Sequence, residues 1–121
     1  MDNNSWIEYK KQIRERLKIF ALNILELSDT LPKSERARIL NHQITRSGSS
    51  TYANFRAALR GRSKAEFFSK LSITDEEANE TEMWLDLLIS SKISETEFTL
   101  QLHKESIELV KILASMRKRL K

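Results

Sequence analysis

Residues that break a helix cluster in three short stretches of this chain. Its 121 residues contain two glycines and one proline. Turn-forming clusters fall at Ser28-Asp29-Thr30-Leu31-Pro32, Gly61-Arg62-Ser63 and Ser90-Ser91-Lys92-Ile93-Ser94. The segments between them carry helical periodicity, so three breaks make four helices, expected at about 5–28, 33–60, 64–91 and 95–119. So few turn residues cannot supply the many connections of a β architecture. Short connections between helices of roughly 25 residues, each about 37 Å long, force antiparallel neighbours. The expected fold is therefore all-α: an antiparallel up-down-up-down four-helix bundle, one domain over residues 1–121.

Helix starts should be marked by capping boxes, in which a serine hydroxyl accepts from a backbone N–H and a glutamate reaches back. Three serine–glutamate pairs have that spacing: Ser5 with Glu8, Ser63 with Glu66 and Ser94 with Glu97. Helix two has Pro32 instead, near its first turn, where a missing N–H is harmless. Apolar residues then recur at steps of four and three. Helix one has Ile13, Leu17, Phe20, Ile24, Leu27 and Leu31; helix three has Phe67, Leu71, Thr74, Ala78, Thr81, Leu85 and Leu88. The seam of helix two, Leu40, Ile44, Ser47, Thr51, Phe55 and Ala58, passes through the small-residue run 47–51, where another backbone can approach closely. Helix four is apolar on two stripes. Phe98, Leu102, Leu109, Leu113, Met116 and Leu120 suit a bundle core, and Leu100, Ile107, Val110 and Ala114 lie beside them. The second stripe either packs against a second neighbour or, with Trp6, Ile19 and Leu22 of helix one, forms an interface between copies of the chain.

Composition removes several classes of function. Without cysteine there is no disulfide framework, zinc-thiolate site or thiol nucleophile, which fits a reducing, cytoplasmic setting. No apolar run is long enough to cross a bilayer, and no basic, then apolar segment opens the chain. His42 and His103 have no ligand partner at metal-binding spacing, the serines lack a nucleophile-elbow pattern, and Gly48 and Gly61 are too isolated to cradle a phosphate. No catalytic residue, cofactor or metal is implied, and the chain is expected not to be an enzyme.

Two polar groupings remain. A hairpin turning at Arg62 sets Ser47 opposite Glu77 and Asn54 opposite Lys70, with Arg46 and Glu80 nearby, an expected inter-helix polar network of Arg46, Ser47, Asn54, Lys70, Glu77 and Glu80. The other grouping is basic. Lys10, Lys11 and Arg14 lie near the start of helix one. Arg56, Arg60, Arg62 and Lys64 surround the second turn, and Arg117, Lys118, Arg119 and Lys121 end helix four. In an up-down bundle these clusters gather at one end. They either complement helix dipoles or form a phosphate-contacting surface, for which the net charge of +4 is permissive.

Helices two and three carry Arg46-Ser47-Gly48-Ser49-Ser50, Ala53-Asn54-Phe55-Arg56, Ser63-Lys64-Ala65-Glu66-Phe67 and Glu77-Ala78-Asn79-Glu80-Thr81-Glu82-Met83-Trp84-Leu85, in that order. This resembles the small bacterial four-helix-bundle proteins encoded within intervening sequences of large-subunit ribosomal RNA genes. Their pattern runs Arg-Ser-x-x-Ser, Ala-Asn-aromatic-Arg, Ser-x-x-x-Phe and Glu-x-x-Glu-Thr-x-x-Trp-Leu. The resemblance is carried by roughly residues 31 to 90, and the outer helices match by length. Ala57 and Glu76 depart from it, standing where the family often has a glutamate and a lysine. The resemblance implies a homo-oligomer, a ring of five, with no settled activity. The combined expectation is a non-catalytic pentameric bundle that binds structured RNA or other nucleic acid through its clustered cations. The alternative is a protein-interaction scaffold or accessory subunit for a polypeptide partner.

Overall fold

The computed structural model describes residues 2–120; Lys121, named above among the terminal cations, lies outside the described residues. Four helices follow in order: α1 Asn3–Thr30, α2 Glu35–Leu59, α3 Lys64–Ser90 and α4 Glu97–Arg119. Among the described residues α1 packs on α2 and α4, and α3 packs on the same two, while α1 and α3, like α2 and α4, stand at opposite corners. The α2–α3 seam is the closest and the α1–α4 seam the most open.

The core is the seam read from the periodicity. Leu17, Ile24, Leu27, Ile44, Phe55, Leu71, Leu85, Leu88, Leu109 and Leu113 are almost completely buried, each worth about 1.5–3 kcal/mol of transfer free energy. Small residues set how near α2 comes to its neighbours. A Cβ on Gly48 would stand 3.0 Å from Ile24 Cγ2, so the glycine lets α1 close on α2. On the other side the Thr81 hydroxyl donates to Ser47 Oγ at 2.8 Å, a buried bond across the α2–α3 seam.

Helix starts depart from the serine–glutamate expectation in two of the three cases. Only Ser63 caps as expected, its Oγ accepting from Glu66 N–H at 3.1 Å, while the Glu66 carboxylate accepts the Arg62 N–H. α1 starts earlier, because Asp2 Oδ1 accepts from Ser5 N–H at 2.7 Å and is itself a strong cap. The cap of α4 is Thr96, whose Oγ1 accepts from Thr99 N–H at 3.2 Å; Ser94 is buried instead, its hydroxyl 2.6 Å from Thr99 Oγ1. Pro32 lies outside α2, whose cap is Ser34. The α1–α2 turn is clasped by Asn41, which donates to Ser28 C=O at 3.0 Å and accepts from Ser28 Oγ at 2.6 Å.

Candidate functional site

The polar line along α2 and α3 is narrower than the six residues expected. Arg46 reaches across the seam to two carboxylates, donating from Nη1 to Glu77 Oε2 at 3.1 Å and from Nη2 to Glu80 Oε1 at 2.7 Å. Trp84 Nε1 donates to the same Glu80 oxygen at 3.2 Å. Hydrogen bonding to Arg46, supported by the Trp84 indole, holds the Glu80 carboxyl below its ordinary value; the Glu80 bond in turn raises Arg46. Ser47 does not face Glu77 but Thr81, one turn on. Asn54 does not cross the seam: its amide donates to Ser50 C=O at 2.9 Å and Ser50 Oγ at 3.0 Å on its own helix. Lys70 is exposed and lines a cleft with Arg60 and Arg62 instead. Arg46 is itself exposed, its side chain 45% accessible, so this is a surface clamp beside the buried Ser47–Thr81 bond.

The basic residues meet at the end where α1 and α3 begin and α2 and α4 finish. A groove of about 270 Å³ there is lined by Trp6 and Lys10 from α1, Arg62, Lys64 and Phe67 from the turn into α3, and Leu120 at the end of α4. A second groove on one side holds Arg60, Arg62 and Lys70, and a third on the other holds Lys10, Lys11 and Arg14. Lys10 and Arg62 thus link the three into one band. Arg60, Arg62 and Lys64 enter no ion pair among the described residues, while Arg14 lies 3.6 Å from Glu15. Arg117, expected among the free cations, is engaged inside the bundle: Nη1 donates at 2.7 Å to Asp75 Oδ2, and the guanidinium lies 5.7 Å from the Phe68 ring centre. Arg56 lies over Tyr52 at 5.7 Å and Arg119 over Trp6 at 4.4 Å. Lys118 is exposed.

The family described as 23S rRNA-intervening sequence protein matches residues 9–115. The chain belongs to this family. A similar solved structure is that of a protein of unknown function from the S23 ribosomal protein family of Bacteroides thetaiotaomicron VPI-5482. It is 37% identical, with a TM-score of 0.80, and the match covers 88% of this chain and 98% of that one. No curated protein matches the chain. The match extends over all four helices, beyond the central pair that carried the resemblance in the sequence.

Of the seven residues named above for an interface between copies, five stand on the surface: Ile19 is 58% exposed, Leu22 55%, Leu100 39% and Ile107 37%, and Ala114 is exposed as well. Trp6 and Val110 instead pack partly buried against the chain's own core. The expectation missed Leu25 on α1, Ile39 on α2 and Met83 and Leu87 on α3, all exposed. It also missed three pairs spanning α4: Arg16 with Glu105 at 2.7 Å, His103 Nε2 with Glu82 Oε2 at 2.7 Å, and Arg117 with Asp75. Opposite charges on α1 or α3 and α4 were the available signal, but pairing them needs the relative rotation of the helices. His103 thus has one carboxylate partner, and no cluster of three metal-ligating residues occurs among the described residues. No described helix is long and apolar enough to cross a membrane.

Proposed function

We propose that this chain is a non-catalytic bundle that assembles as a homo-oligomer, a ring of five, and binds structured RNA through the basic band at the end where α1 and α3 begin. The observation that carries the reading is the joining of Lys10, Lys11, Arg14, Arg60, Arg62, Lys64 and Lys70 across three adjoining grooves. Glu15 pairs with Arg14, but the one carboxylate lining these grooves, Glu66, is turned onto the Arg62 backbone N–H and leaves the other cations without an opposing charge there. Cations gathered this way bind phosphates and release their counterions. Membership of a family named for ribosomal RNA intervening sequences is consistent with an RNA ligand.

Affinity for a fragment of structured ribosomal RNA, measured by fluorescence anisotropy, should fall steeply as salt rises. Replacing Arg60 and Arg62 together by glutamine should lower the magnitude of the log–log salt slope by about two. Undetectable binding at low salt, or binding indifferent to salt, would sink the reading. The exposed apolar residues Ile39, Met83 and Leu87 favour a second reading, an accessory scaffold for a polypeptide partner. A complex of fixed stoichiometry with one protein that survives nuclease treatment would support it.

A further inference from the structure

A surface that only tracks phosphates needs cations, yet the central groove of the basic band is floored by aromatic rings. Trp6 and Phe67 both line it, with the Lys10 ammonium 5.3 Å from the Trp6 ring centre and 5.1 Å from that of Phe67, and the Arg119 guanidinium 4.4 Å from the Trp6 ring. Trp6 is held in place by Tyr9, stacked at 6.1 Å with an interplanar angle of 28°. Ala58, Leu59 and Leu120 complete an apolar wall, and Arg62 and Lys64 belong to the same lining. Gly61 lets the turn sit tightly on the first turn of α3, since a Cβ there would stand 3.1 Å from both Ala58 C=O and Phe67 N. The groove is therefore built by backbone as well as by flexible cations.

We propose that this groove takes one unpaired nucleobase of an RNA strand, which stacks on Trp6 and Phe67 by displacing the Arg119 and Lys10 cations now held against those rings, with the flanking phosphates on Lys10, Arg62 and Lys64. The proposal rests on the nucleic-acid reading above and narrows it from structured RNA in general to RNA with a single-stranded end or bulge. Bases inside a duplex are covered by their neighbours and cannot present a face to an aromatic ring, whereas an unpaired base can. The volume, about 270 Å³, lies just below the usual range for small-ligand sites and so suits a single base. An acidic peptide would satisfy the cations and leave the aromatic floor unused.

The chain has two tryptophans, so Trp84→Phe leaves Trp6 as the sole indole reporter. Two RNA hairpins are titrated into this full-length variant, one blunt-ended and one with a four-nucleotide single-stranded overhang, with polyglutamate as a third probe. The overhang hairpin should quench Trp6 fluorescence and bind about tenfold tighter than the blunt one. In the otherwise unchanged protein, Trp6→Leu should remove that preference without altering the salt slope, Trp6→Phe should keep most of it, and Lys10→Gln should lower the slope by about one. Equal binding of the two hairpins with no quenching would overturn the base pocket and leave the phosphate-binding surface standing. Quenching by polyglutamate equal to that by the overhang would overturn it as well. Failure of both hairpins to bind at low salt would remove the underlying reading together with this one.

Discussion

Arg46 holds two carboxylates that lie one helical turn apart on α3, an arrangement suited to a guanidinium, whose several N–H groups diverge in one plane. The clamp is half exposed, so its worth is that of a surface pair, about 0.5–1 kcal/mol. Its pH dependence has a definite sign. Hydrogen bonding to Arg46 lowers the folded-state pKa of Glu80 below the ordinary 4.5, so the native state binds the carboxyl proton less readily than the unfolded chain does. The stabilisation is fully present above 4.5 and lost as pH falls through the lowered native value. Urea denaturation of the protein and of Glu80→Gln should accordingly show the wild type more stable at neutral pH, with the gap closing in acid. A gap that stays constant down to pH 3 would refute the assigned ionic role. The residue types of this clamp could be read from the chain, and the antiparallel register brought Arg46 near Glu77 and Glu80. Asn54 and Lys70 show the limit of that reading. A hairpin register fixes height along the seam but not rotation about each helix, so Asn54 turned to its own Ser50 and Lys70 to solvent.

At the scale of the helices, seams were more legible than ends. A buried stripe is specified by many residues at once, so one wrong position does not move it. A cap is chosen between neighbours that differ by a few tenths of a kcal/mol, and Asp2, Ser5, Ser94 and Thr96 are all competent. The seam between α3 and α4 carries a pairing that periodicity does not reveal. Asp75 is 7% exposed within the stripe of α3, and Arg117 reaches it from the last turn of α4. Arg117 Nε is itself buried with no hydrogen-bond partner among the described residues, so the aspartate is the main compensation for desolvating this cation. Asp75→Ala should destabilise the bundle by about 1–3 kcal/mol in urea melts, less than the roughly 3–5 kcal/mol of a fully buried broken pair because the Arg117 side chain is 35% exposed. The double replacement Asp75→Ala with Arg117→Met should recover more than half of that loss, since no charge is then stranded. Additive losses would mean that the two side chains act independently.

For the whole molecule, the gathering of cations at one end followed from topology alone: three short turns fix the direction of every helix, and so fix which ends are shared. What topology could not give is which outward residues would face another copy in the proposed ring. A closed ring uses heterologous contacts, so each copy must offer two different patches, whereas a two-fold dimer needs one self-complementary patch. The surface supplies two. Ile19, Leu22 and Leu25 stand exposed on α1, and Met83 and Leu87 on α3, the helix at the opposite corner of the bundle. Apolar area on opposite sides can be buried only by a neighbour on each side, at about 25 cal/mol per Å² removed from water. In the proposed ring, closure would leave neither patch uncovered and would repeat the basic band, so that a modest +4 per chain would become a field able to hold a polyanion. Light scattering coupled to size exclusion should therefore give a mass about five times the 14.2 kDa of one chain. Leu22→Lys, at a position 55% exposed, should reduce it towards a single chain while leaving helical circular dichroism unchanged, and RNA affinity should fall with the mass. A wild-type mass near 14.2 kDa at micromolar concentration would refute the ring. A wild-type mass of two chains would point instead to one self-complementary patch, and Leu22→Lys compared with Leu87→Lys would then show which of the two it is.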